Sequence, residues 1–300
     1  MIAKKYMNSQ NLKEYYKGVF MENINILYYF TIYGILGWCL EVAYAAVNTG
    51  TFVNRGFLNG PICPIYGIGA ILIIDLLTPF KNNLILLFII SIFITSLLEY
   101  MTGFTLEKIF NNKWWDYSKY PFNIKGYICL KFSLAWGVAC VLVMRIIHPL
   151  VENFIEFIPL FIGAFLLLCT AILFAIDIIA TIDTVLKLNF RLKRIHEISA
   201  QIKQKSDIFG KNISNDTIEL KRKYEYQSIE LRKKYDDFSE DIIEIKERYE
   251  KEIRELKETY KKLTARRNPL HRRLIKAFPN IKSNKYFDAL NELKRNVTKK

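Results

Sequence analysis

Three hundred residues would suffice for two ordinary domains, yet 51% of them are hydrophobic while the formal net charge is +14, a mixture that one water-soluble globule does not carry. From Thr184 onward there are 31 Lys+Arg against 18 Asp+Glu, whereas residues 1–183 hold 12 and 11, so charge and apolarity occupy different parts of the chain. That segregation excludes a soluble enzyme and a disordered chain, and describes a membrane domain with a basic, water-exposed tail.

Residues 1–23 form a basic arm, with Lys4, Lys5, Lys13 and Lys17 and no apolar core, so no cleaved signal peptide is read there. Residues 24–184 read as the transmembrane domain. Crossing the hydrocarbon takes about twenty mostly apolar residues. Five segments qualify, at about Ile24–Val47, Leu58–Leu77, Leu84–Phe104, Tyr127–Ile147 and Phe157–Ile182. Each is bounded by groups that a bilayer centre rejects: Asn48 and Gly50, Pro79 with Lys81, the polar stretch 111–125, His148–Pro149, and Lys187–Arg194. With five spans and a cytoplasmic tail, nine flanking Lys and Arg residues fall inside and six outside, and Glu152 and Glu156 stand in an outer loop without a basic partner. The expected location is therefore the cell membrane, multi-pass, with the C-terminal tail in the cytoplasm.

Residues 185–300 read as a cytosolic helical region. Leu220, Tyr224, Gln227, Leu231, Tyr235, Phe238, Ile242, Ile245, Tyr249, Ile253, Leu256, Tyr260 and Leu263 recur at about 3.6 residues per step, the period of a straight helix. This stripe packs on a neighbour or, as a coiled coil, joins copies of the chain into a homo-oligomer. Pro269 ends or bends the helix. Residues 261–300 carry 13 Lys+Arg against Asp288 and Glu292 alone, which suits anionic lipid headgroups. Nucleic acid offers similar electrostatics, but no zinc finger, glycine-rich aromatic sheet motif or helix-turn-helix is present to read it. Ser283 reads as the N-cap of a last short helix. The fold class is thus all-α: a polytopic membrane protein of about five transmembrane helices followed by an amphipathic helical tail.

Chemistry-bearing residues are few. Cys39, Cys63, Cys129, Cys140 and Cys169 lie in or beside apolar segments without Cys-x-x-Cys spacing, and only three histidines are scattered through the chain, so neither a metal nor a cofactor is expected. Ionisable groups inside spans are costly unless paired, which singles out Glu41, Asp75, Glu99, Lys131 and Asp177. For Asp75, snorkelling to the interface suffices. Glu41 and Glu99 are stronger, because alternating spans put both near the face carrying Arg55, a suitable partner. From Asn54 to Gly69, Gly56, Gly60, Pro61 and Pro64 forbid regular helix where the second span should begin, and irregular backbone at membrane depth survives only where protein or water satisfies it. Trp114, Trp115, Asp116, Tyr117 and Ser118, with Asn123 beyond them, read as an interfacial aromatic belt or as a polar pocket with aromatic walls. The candidate cavity residues are Glu41, Arg55, Glu99, Trp115, Asp116, Tyr117 and Asn123.

Gly37-Trp38 with Glu41, Asn54-Arg55-Gly56-Phe57-Leu58 with Gly60-Pro61 and Pro64-Ile65-Tyr66-Gly67, Glu99-Tyr100 with Thr102-Gly103 and Glu107, and Trp114-Trp115-Asp116-Tyr117-Ser118 with Phe122-Asn123 and Gly126 occur in this order. Over about residues 30–140 the chain thereby resembles the ABC-transporter type IV permease family. The resemblance implies a small polytopic membrane protein and supplies no catalytic residues. The first functional expectation is a transport component moving a small solute. No Gly-x-x-x-x-Gly-Lys-Ser/Thr loop is present, so ATP would be hydrolysed by a separate ATPase subunit. The alternatives are a membrane scaffold that recruits a partner through its C-terminal helix, and a lipid-modifying enzyme, for which no nucleophile–base pair is visible.

Overall fold

The computed structural model describes the backbone of residues 9–224, 229–265 and 268–298. Side chains are described for residues 24–211, 246–265 and 268–297, and at Ser214, Asn215 and Ile218. The Lys4–Lys5 part of the arm therefore lies outside the described residues. Helix α1 (Ser9–Thr49) carries the apolar stretch Ile24–Thr49 and ends where Gly50, at φ 68°, turns left-handed and donates to the Ala46 carbonyl at 2.8 Å. Helix α3 (Leu84–Phe110) begins at Asn83, whose side chain accepts from Leu86 N at 3.1 Å. It closes on a left-handed Asn111.

Among the described residues, four helices are long and apolar enough to cross a membrane: Ile24–Thr49 of α1, α3, the run Leu130–Glu156, and Leu160–Lys211 within α6 (Leu160–Tyr224). Their outward side chains are apolar, with Phe161 86% and Ile85 75% exposed. Water would reject such a surface, whereas hydrocarbon accepts it.

The second expected span differs from its sequence reading: its helix is apolar but shorter than the other four. Helix α2 (Pro64–Leu77, continued by one 3-10 turn, Thr78–Phe80) starts six residues later than expected, because residues 51–63 form no helix. Cys63 N donates to the Gly34 carbonyl in the middle of α1 at 2.9 Å, and α2 then runs back along the N-terminal half of α1. The approach is close. A Cβ on Gly67 would lie 2.6 Å from the Phe30 carbonyl oxygen, and one on Gly37 would lie 2.2 Å from the Tyr66 ring.

His148–Pro149 is likewise no boundary. Helices α4 (Leu130–Leu142) and α5 (His148–Glu156) are joined by a π turn, Val143–Ile147, and Pro149 sits in the first turn of α5, where its missing N–H costs little. Nor does α6 stop at Lys187–Arg194; it leaves the apolar zone as an unbroken helix. Two apolar clusters bind the spans together, one around Ile24, Tyr28, Ala70, Val151 and Leu167, the other around Ile73, Leu77, Leu87, Cys140 and Met144.

The chain forms two compact units. The first comprises residues up to Leu186 together with Pro269–Asn284; the second comprises Lys187–Asn268 with residues from Lys285 onward. In the first unit, Pro269 opens helix α8 (Pro269–Ala277), and the strand β4 (Lys282–Ser283) pairs antiparallel with β1 (Asn112–Lys113). Ser283 is thus a strand residue, not a helix cap. In the second unit α9 (Phe287–Thr298) packs on α7 (Ile229–Ala265), and α6 meets α7 through individual side chains. Arg191 Nη2 donates to the Leu263 carbonyl at 2.7 Å, Lys205 pairs with Glu252, and the Phe209 and Tyr249 rings lie 6.2 Å apart. The described part of the predicted stripe, Tyr249 to Leu263, is accordingly half-buried or buried; from Leu220 to Ile245 its side chains lie outside the described residues, and Gln227 does so altogether.

Candidate functional site

The irregular segment 51–63 is held by side chains from three elements. Asn54 Oδ1 accepts from Trp38 Nε1 at 2.8 Å and Gly56 N at 3.1 Å, and Asn54 Nδ2 donates to the Asn59 carbonyl at 2.7 Å. Asp177 on α6 accepts from Asn59 N at 3.0 Å, Asn59 Nδ2 at 2.9 Å and Gly60 N at 2.7 Å. From α8, Arg273 donates to the carbonyls of Gly56 and Leu58 at 2.9 Å and Phe57 at 3.0 Å. Without helix or sheet to use them, these backbone groups would be stranded in a poor solvent; each is met by a specific donor or acceptor. Burial pulls the Arg273 guanidinium below its ordinary value, opposed by the nearby Asp177.

This segment delivers Arg55 to Glu41. The Arg55 Nε to Glu41 Oε2 distance is 3.2 Å, and the guanidinium also lies 4.9 Å over the Tyr44 ring. Tyr66, whose ring fills the space left by Gly37, donates its hydroxyl to Glu41 Oε1 at 2.7 Å and meets Trp136 edge to face at 5.5 Å. Just past the midpoint of α3, Glu99 accepts from the Tyr117 hydroxyl at 3.1 Å. Its Oε2 is buried and has no hydrogen-bond partner among the described residues. Glu41 is near enough to act electrostatically on both Glu99 and Tyr117. Burial first, then the Glu99 charge and hydrogen bond, hold the Tyr117 phenol well above its usual range, so it stays a donor. Two carboxyls, one guanidinium and two phenols thus converge beside the apolar helices α1, α2 and α3.

The hairpin between α3 and α4 is held by its own polar groups and by Lys282 of β4. Strands β2 (Asn123–Ile124) and β3 (Ile128–Cys129) pair antiparallel, and Gly126 turns the chain at φ 68°. Trp115 Nε1 donates to the Tyr127 carbonyl at 2.8 Å, and Asn123 bridges Tyr120 O at 2.8 Å and Gly126 N at 3.2 Å. Asp116 pairs with Lys113 at 3.2 Å and with Lys282 of β4. Burial alone would raise the Asp116 carboxyl, but the hydrogen bonds from Lys282, Ser118 and Lys113 prevail and hold it well below the usual carboxylate range.

The family described as "Putative ABC-transporter type IV" matches residues 28–182, just over half of the chain. The chain belongs to this family. No curated protein and no solved structure matches it. The matched region contains Glu41, Arg55, Tyr66, Glu99, Tyr117 and Asp177, and ends before Arg273.

Of the seven candidate residues, the structure brings Glu41, Arg55, Glu99 and Tyr117 together, while Trp115, Asp116 and Asn123 build the adjoining hairpin. Asp116 does not accept from Arg55, because two lysines take its oxygens. Tyr66 and Arg273 were not among the candidates, and Asp177, though singled out, was not placed in the cavity set. Asp177 carried a signal, being a carboxylate in an apolar span, yet its partners are backbone N–H groups of a loop more than a hundred residues earlier.

Proposed function

We propose that this chain is the membrane-embedded permease component of a transporter, moving a small solute past the Glu41–Arg55–Tyr66 and Glu99–Tyr117 cluster, with ATP hydrolysed by a separate subunit. The observation that carries the reading is non-helical backbone beside the apolar helices delivering an ion pair into the span interior, an expensive arrangement that membranes retain at solute and ion pathways. No catalytic role is assigned. The basic residues flanking the α3–α4 hairpin and following the α6 span support a cell-membrane location with the tail in the cytoplasm, the side on which the ATPase binds. Anionic lipid is the expected contact of the basic stretch 261–300. The scaffold alternative is less well supported, since the described part of the α7 stripe is already used against the same chain.

The test is isolation of the full-length protein from native membranes in mild detergent. Copurification of a polypeptide bearing a nucleotide-binding loop is expected. Its ATP hydrolysis should fall several-fold in Arg55→Gln while the complex still forms. Isolation of the chain alone, with and without a non-hydrolysable nucleotide, would count against the reading.

A further inference from the structure

A second titratable cluster lies apart from Arg55, where α5 begins. His148, buried at the start of α5, faces Tyr33 on α1: the Tyr33 hydroxyl is 3.3 Å from His148 Nδ1. Its other nitrogen, Nε2, is 3.5 Å from Glu152 Oε1 one turn further along α5. The Glu152 side chain is 51% exposed, whereas that of His148 is 8% exposed. Tyr29 closes the other side, its ring meeting the imidazole edge to face at 5.1 Å, and Lys81, in the turn after α2, is the nearby cation. The π turn Val143–Ile147 sets the ring in place, since His148 N bonds five residues back to the Val143 carbonyl. Such single π turns are often found at functional positions.

Packing alone does not account for these choices. A buried imidazole with a phenol on one nitrogen and a water-exposed carboxylate on the other has both a place to hold a proton and a route to solvent. Tyr33, Gly37 and Glu41 follow at four-residue spacing on one face of α1, so the cluster points toward the Arg55 site.

We infer that Tyr33, His148 and Glu152 form a proton-binding site open to water at Glu152, apart from the Arg55 cluster. In the neutral ring Nδ1–H is donated to the Tyr33 oxygen and Nε2 presents its lone pair toward the Glu152 side. A proton from water enters past Glu152 and binds Nε2, and the ring becomes an imidazolium whose Nε2–H faces the Glu152 carboxylate. Release reverses the step. The site stands independently of the transport reading; only a coupling between the two clusters would rest on it.

The test is 15N-histidine magnetic resonance of the full-length protein in lipid nanodiscs, titrated from pH 8 to 5. The His148 signal is identified by its loss in His148→Gln, or, should that chain fail to fold, by the selective disturbance of Nδ1 in Tyr33→Phe. The expected result is a reversible change from one neutral tautomer to the doubly protonated ring, moved to lower pH by Glu152→Gln. A ring that keeps one form over the whole range, or one whose change is indifferent to Glu152→Gln, would overturn the assignment.

Discussion

At Arg55 the chemistry is a half-exposed ion pair, with side chains 32% and 27% accessible, so its net contribution is small while the cost of breaking one side is larger. Glu41→Gln and Arg55→Gln should each lower the melting temperature in detergent, and the double variant should be milder than the sum by about 1 kcal/mol. Strict additivity would mean that the pair does not form. Tyr66→Phe removes one hydrogen bond to Glu41 and is expected to cost about 1 kcal/mol. Asp116 gives a pH prediction of defined sign. Its folded carboxyl is held below the ordinary value, so its stabilisation is present above about pH 4 and lost as the pH falls further. The melting difference between the native chain and Asp116→Asn should be constant from pH 7 to about pH 5 and shrink below that; a difference that grows on acidification would refute the pairing with Lys113 and Lys282. Glu41, Arg55 and Glu99 were legible in the sequence because a charge in an apolar run is conspicuous. Tyr66 and Arg273 were not, since a tyrosine beside a span and an arginine in a basic tail are ordinary residues until folding supplies their partners.

At the scale of elements, runs of about twenty apolar residues located the long apolar helices, but three boundaries shifted for physical reasons. The segment from Leu58 to Cys63 reads as the start of a span, yet it stays non-helical, with Asn54, Asp177 and Arg273 satisfying its backbone. The α5 proline sits where a helix tolerates it, and α6 continues because its basic residues are good helix formers once past the hydrocarbon. Close packing of α2 on α1 makes Gly67→Ala a sharp test. The added Cβ would meet the Phe30 backbone, which cannot step aside like a side chain, so a loss of about 1–3 kcal/mol is expected in a thermal melt. Arg273→Lys keeps the charge but loses the fork that reaches three carbonyls. It should destabilise the first unit by about 1–3 kcal/mol, and an unchanged melt would show that the segment 54–60 stands without α8.

For the whole molecule, segregation of charge and apolarity fixed the class at once, whereas the interleaving of the two units along the chain was invisible because Arg273 returns to residues more than two hundred positions earlier. The orientation is open to direct measurement. Single cysteines at Ser199 and Glu152, exposed to an impermeant thiol reagent in intact cells, should react at 152 and not at 199; the reverse pattern would invert the topology. The central claim is that the Glu41–Arg55–Glu99 cluster is reached by solutes rather than sealed as structure. In a chain whose native cysteines are replaced by alanine, Glu99→Cys should react with a small water-soluble thiosulfonate applied from the tail side. A cysteine at 99 inert to that reagent from either side, in a chain that still folds, would contradict a solute-accessible site.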